Sequence, residues 1–226
     1  MDGKIAVMLH EAPVSLSDFA LAALSAVLVA KLLAGNTEMH RIRTWFCLEI
    51  GAVALAALLG GIAHGFVPDT ETFWGALVWR STLVCVGMAG LAAMMIASFL
   101  LFRPRTVERV RFAALLAFAV YCGLVLFEFQ GFVVALIFYT PTAVLLFIAF
   151  LVRWRKEAAS FALDGIIAMV LTFIAAGLQH FQVGIDPVYF NNNVIYHLLQ
   201  GAAMIFLYRA GRRWLKHASQ LQVQSV

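Results

Sequence analysis

The chain has 226 residues, 63% hydrophobic and 12% charged, with a formal net charge of +4 and a mean hydropathy of +0.92. A soluble domain carries about 45–50% apolar and about 25% charged residues, so this composition excludes a soluble globular protein. At about 20 residues per span it leaves room for about seven membrane helices.

Seven apolar segments are predicted as spans: Ser17–Ala34, Thr44–Phe66, Phe73–Phe102, Phe112–Phe129, Phe132–Val152, Ala159–His180 and Asn192–Ala210. The first has an acidic front (Glu11, Asp18) and no basic leader, so it is not read as a cleavable signal. The fifth contains Tyr139-Thr140-Pro141-Thr142, where proline removes a backbone hydrogen bond and is expected to kink the helix. Gly60, Gly61, Gly87 and Gly90 are read as points of close helix approach. Strand-type alternation is absent, which favours a helical bundle over a barrel. Cys47, Cys85 and Cys122 sit inside apolar runs, with no disulfide framework and no CxxC metal pattern. The expected fold is therefore all-α: one seven-helix transmembrane domain over residues 1–226.

The connections alternate in charge. Lys31, Arg41 and Arg43 flank the first; Arg103, Arg105, Arg109 and Arg111 fill the third; Arg153, Arg155 and Lys156 fill the fifth; Arg209, Arg212, Arg213 and Lys216 follow the last span. These are 14 of the 16 basic residues, and the positive-inside rule makes their side cytoplasmic. The N-terminus is then outside and the C-terminus inside, as in a multi-pass protein of a bacterial inner membrane. The basic loops are read as topology determinants and contacts to anionic lipid rather than a nucleic-acid surface.

Ionisable groups inside lipid are costly, so each is a functional candidate. Sorted by this topology, Asp18, His64, Arg80, Glu128, Gln130, Gln179, His180, Asn193, His197 and Gln200 fall in the outer third of six of the seven spans. Asn193, His197 and Gln200 share one face of the last helix by their i,i+4 and i,i+3 spacing. His64, His180 and His197 are candidates to converge on one zinc ion, since three nitrogen ligands and a water make the usual catalytic arrangement. Asp18 or Glu128 would accept a proton from that water, and Arg80 would steady an oxyanion or an anionic headgroup. Asn193, Gln200 and Gln179 would line the pocket around them.

Each residue also has a plainer reading. The histidines suit the headgroup level, Asp18 competes with Ser15 and Ser17 to cap the first helix, and Arg80 can snorkel outward or pair with Glu128. Asn191–Asn193 can cap the last helix. In the inner half, Glu49 lies about 22 Å along the axis from His64 and cannot share its metal. Asp164 is expected to pair with an arginine.

The stretches Gly60-x-x-x-His64 and Asn193-x-x-x-His197, at the end of the second span and the start of the seventh, resemble patterns of the CREST superfamily. That group includes alkaline ceramidases, adiponectin and progestin receptors and haemolysin-III-like proteins, and carries Ser-x-x-x-His and His-x-x-x-His there around a zinc. The resemblance implies a buried zinc hydrolase of lipid amides or esters. The chain departs from it where glycine replaces serine, asparagine replaces a histidine, and the acidic position shifts into the loop at Asp69 or Glu71. The leading expectation is a zinc-dependent hydrolase acting on a membrane lipid or lipid-like substrate. The alternative is a non-catalytic receptor or small-ligand binder using the same pocket, and a third reading makes His64 and His197 axial ligands of haem. The one lysine inside a predicted span, Lys31, lies at the cytoplasmic end of the first, where no opsin-type Schiff base is expected.

Overall fold

The computed structural model describes residues 9–35 and 40–224. It contains seven helices: α1 (Ala12–Leu33), α2 (His40–Phe66), α3 (Phe73–Leu101), α4 (Pro104–Phe127), α5 (Phe132–Glu157), α6 (Ser160–His180) and α7 (Asn192–Gln224). Among the described residues extended pairing is limited to one isolated bridge, Asp186 with Phe190. α1 to α6 are long and apolar enough to cross a membrane, as a multi-pass integral membrane protein requires. α7 is less apolar because Asn192, Asn193, His197 and Gln200 occupy its first turns and a basic run its second half.

Five boundaries differ from expectation by four residues or more: the starts of α1, α2 and α4 and the ends of α5 and α7. α1 begins at Ala12 because Pro13 falls in its first turn, where a missing N–H costs nothing. Its N-cap is Glu11, so Asp18 lies well inside the helix and does not cap it. α4 begins at Pro104, again with proline in the first turn. Arg105, Arg109 and Arg111 therefore ride on a helix rather than a loop, and Glu108 bridges Arg41 at 2.5 Å and Arg111 at 2.7 Å. α7 continues beyond Ala210 through the basic run. α5 passes through Pro141 as one helix, with the Thr142 hydroxyl donating to the Tyr139 carbonyl at 2.7 Å.

The packing follows a ring. α1 packs on α2, α2 on α3, α3 on α5, α5 on α6, α6 on α7, and α7 closes back on α1 and α2. α4 stands outside this ring and packs chiefly on α3. Glycines allow the tight passages: a Cβ at Gly87 of α3 would lie 2.1 Å from the Tyr121 ring of α4, and one at Gly61 of α2 would lie 2.7 Å from Phe19 of α1.

Most of the core fills the end of the ring that carries the arginines. There Phe46, Phe150, Phe161, Trp214, Met169 and Leu207 form part of one buried cluster, with Phe46 edge-on to Trp214 at 5.7 Å and Phe161 stacked on it at 6.1 Å. At that end Asp164 of α6 is held by Arg213 at 2.7 Å and Arg209 at 3.1 Å, both from α7. The opposite end, which holds His64, His180 and His197, is where the ring stays open.

Candidate functional site

A cavity of about 420 Å³ enters the ring at the histidine end, lined by residues of α1, α2, α3, α5, α6 and α7 and by none of α4. His64, Gln179, His180 and Asn193 stand near its mouth, Asp18, Tyr139, Thr172, His197 and Gln200 deeper, and Val53, Val86 and Ala89 deepest. From Trp79 to Ala89 along α3 the wall extends about 15 Å at 1.5 Å per residue. Neither lysine nor arginine lines it.

The polar centre is a contact between α1 and α7. The Asp18 carboxyl Oδ1 lies 3.1 Å from His197 Nε2, with both side chains nearly buried. The other ring nitrogen, Nδ1, is 2.8 Å from the Ser17 hydroxyl, which itself donates to the Val14 carbonyl at 2.8 Å. Because the Ser17 hydrogen is spent on that carbonyl, its oxygen accepts from an Nδ1–H. A single proton placed on either Nε2 or Asp18 would make the pair neutral overall. That is the inexpensive way to keep a carboxyl and an imidazole away from water. Gly60 makes room for the carboxyl: a Cβ there would sit 3.2 Å from Asp18 Oδ2. The glycine that departs from the Ser-x-x-x-His pattern is thus the residue against which Asp18 packs.

The other expected site residues divide into two groups. His64 lines the cavity with its Nδ1 2.6 Å from Glu11 Oε2. His180 lines it with its ring edge-on to Phe181 at 5.1 Å. Gln179 accepts from Asn192 at 2.7 Å and donates to Asn193 at 2.5 Å, which clamps the end of α6 to the start of α7. The N-terminus of α7 is capped by Asn191, whose side chain accepts from the Val194 N–H at 3.1 Å. Asn193 and Gln200 face the cavity as their helical spacing predicted. Arg80 and Glu128 do not join them. Arg80 leaves α3 on the side of α4 and donates to the Leu126 carbonyl, and Glu128 is the C-cap of α4, outside the ring.

Five contributors were not foreseen. Glu11 had been read only as part of an acidic front, Ser17 as a helix cap, and Tyr139 as a neighbour of the proline. Tyr196 and Thr172 carried no sequence signal beyond lying within a few residues of a polar neighbour or one helical face. Beneath the cavity, Glu49 is fully buried, with the Tyr139 hydroxyl 3.4 Å from its Oε1.

The donor set does not fit a zinc ion as arranged. Both ring nitrogens of His197 already have partners, and His64 Nδ1 is taken by Glu11. Among the described residues no group of three or more His, Cys, Asp or Glu side chains is placed to hold a metal ion. What the site offers is a carboxyl–imidazole contact, a set of hydrogen-bonding groups and an apolar floor.

No curated protein and no solved structure matches the chain. The chain belongs to the family of unknown function DUF6962, whose model matches residues 14–216 and so takes in every cavity-lining residue from Asp18 to Gln200.

Proposed function

We propose that this protein binds a small amphiphile within the membrane, in the cavity at the histidine end of the ring. The observation that carries the reading is the cavity's make-up: hydrogen-bonding groups occur at its mouth and middle, among apolar residues such as Trp79, Phe132 and Leu136, and Val53, Val86 and Ala89 lie at its floor. Its volume of about 420 Å³ lies toward the small end of the range of about 300–1,000 Å³ for ligand pockets, which suits one alkyl chain with a compact head better than a two-chain lipid. The loops at this end, residues 67–72 and 181–191, contain no lysine or arginine. By the positive-inside rule this end faces outward, and the ligand enters from the outer leaflet or the space beyond it.

Binding of radiolabelled 1-dodecanol to the full chain in lipid nanodiscs tests this, with empty nanodiscs correcting for partition into lipid. Saturable binding at one site per chain, abolished by Ala57→Phe in the cavity wall, is the expected result. Uptake no greater than that of empty nanodiscs would overturn it.

A hydrolase of lipid amides or esters is the second reading. The contact between Asp18 and His197 favours it, because a carboxyl–imidazole pair facing a cavity is equipped for general acid–base work. It requires release of fatty acid from an N-dodecanoyl amide or dodecanoyl ester, lost in His197→Ala. One zinc per chain in protein purified without chelator would support the zinc-dependent form of this reading, in which His197 must give up Ser17 or Asp18.

A further inference from the structure

We infer that the hairpin between α6 and α7, residues 181–190, inserts into the headgroup region of the leaflet at the histidine end and is a lipid-binding surface of this protein. The inference goes beyond the amphiphile-binding reading and holds whatever the cavity takes.

The hairpin reads Phe181-Gln182-Val183-Gly184-Ile185-Asp186-Pro187-Val188-Tyr189-Phe190, with no lysine or arginine. Its six large apolar and aromatic side chains are all exposed, Ile185 at 85% and Phe181 at 76%. Its carboxylate is turned the other way, since Asp186 is partly buried. A loop built for water shows the reverse order, with charge outward and large apolar groups folded under. Contiguous apolar surface of this kind marks a contact with protein or membrane.

Two observations favour the membrane. The first is the backbone. The N–H groups of Phe181 and Val183 donate to the carbonyls of Gly177 and Leu178 in the last turn of α6, each at 2.9 Å, and that of Gln182 donates to Gln179 at 3.2 Å. Ile185 and Asp186 both donate to the Phe190 carbonyl, at 2.9 Å and 3.2 Å. Val188 and Tyr189 donate to the Asp186 carboxyl, which is why that side chain turns inward. Pro187 has no N–H to satisfy. Water would meet such donors by itself, but lipid cannot, so a loop that enters a leaflet must pair them within the chain.

The second observation is level. The bonds to Gly177 and Leu178 hold the start of the hairpin against the end of α6. The neighbouring helix ends carry exposed aromatic side chains there too: Phe66 of α2, Phe73 and Trp74 of α3, and Phe127 of α4. Aromatic rings gather where a bilayer meets water, and Phe181, Tyr189 and Phe190 continue that belt across α6 and α7. Gln182 and the Tyr189 hydroxyl supply the polar groups that headgroups accept. Since Gln179, His180 and Asn193 at the hairpin's feet line the cavity mouth, this places lipid beside that mouth.

The test is electron paramagnetic resonance of a nitroxide on Ile185→Cys in the full chain, with Cys47→Ala, Cys85→Ala and Cys122→Ala, at one chain per lipid nanodisc. Molecular oxygen concentrates in lipid and a neutral nickel chelate stays in water. Stronger relaxation of the label by oxygen than by the chelate is the expected result. Stronger relaxation by the chelate overturns the inference, because the hairpin then stands in water. Weak relaxation by both overturns it as well, because the chain itself then covers the site. Hydroxyl-radical footprinting of the unaltered chain in the same nanodiscs needs no variant to fold. Phe181, Tyr189 and Phe190 should lose most of the modification that the same peptide takes up free in solution, and modification equal to that of the free peptide overturns the inference.

Discussion

Truncating Asp18 to alanine removes the partner of His197 Nε2, now 3.1 Å from Oδ1. Nδ1 stays fixed by Ser17, 2.8 Å away, so the ring cannot turn to find a substitute without giving up that bond. The orphaned nitrogen is expected to cost about 1–3 kcal/mol. Asp18→Asn should cost less than about 1 kcal/mol, because an amide N–H can donate to Nε2 in a pair that is neutral from the start. The pairwise part follows from a double-mutant cycle with His197→Ala. Hydrogen bonds between membrane helices average about 0.6 kcal/mol and reach about 1.7 kcal/mol in such cycles. With both partners nearly buried, a coupling of about 1 kcal/mol is expected here. Reversible SDS unfolding in mixed micelles, followed by far-UV circular dichroism, reads all four corners. Strict additivity within about 0.3 kcal/mol would refute a stabilising Asp18–His197 contact between α1 and α7, as would an Asp18→Asn variant no more stable than Asp18→Ala.

Two further outcomes follow from the loops. The hairpin between α6 and α7 is tied by Asp186, whose carboxyl accepts from the Tyr189 N–H at 2.6 Å and the Val188 N–H at 2.9 Å; these bonds hold its pKa below the usual aspartate value. Its contribution is thus fully present above about pH 4, the ordinary aspartate range, and is lost as pH falls through the lowered folded value. Hydrogen exchange at Val188 and Tyr189 should accelerate in that acid window beyond the intrinsic pH trend; Asp186→Asn should abolish the extra step, and an unchanged profile in that variant would discount the carboxylate. At the end of α5, Ala158 takes the left-handed conformation with φ 48°, which costs an L-residue about 1–2 kcal/mol and glycine little. Against an unfolded-state entropy loss of about 0.4–1 kcal/mol, Ala158→Gly should stabilise by about 0.5 kcal/mol and Ala158→Val destabilise, as thermal unfolding in detergent would show; a less stable glycine variant would contradict the cap.

The spans were legible because about 20 apolar residues between charged connections admit little else in a chain of this composition. Their order around the ring was not. Hydropathy says that Phe112–Phe129 is apolar but not that α4 stands outside while α7, the most polar of the seven, is enclosed by α1, α2 and α6. Packing decides that, through details such as Gly87 admitting the Tyr121 ring. The helix starts at Ala12 and Pro104 were missed because apolar content was followed rather than proline's tolerance in a first turn. The basic continuation of α7 is not apolar, so hydropathy does not mark it as part of the last helix.

At the site, depth was readable and direction around each helix was not. Arg80 and Thr82 lie at nearly the same depth on α3, but two residues turn a helix by about 200°. Thr82 consequently faces the cavity while Arg80 reaches the end of α4. The charged group, which attracts attention in a sequence, serves a neighbouring helix, and the neutral one faces the cavity. The same inversion explains the histidines. Their convergence at one end suggested ligands for a metal, but each imidazole nitrogen bound to a side chain is withdrawn from that use, and His197 has none left. Partnerless polar atoms do occur beside the cavity, on Asp18, Thr172 and Gln200, but they are buried oxygens turned away from its open space.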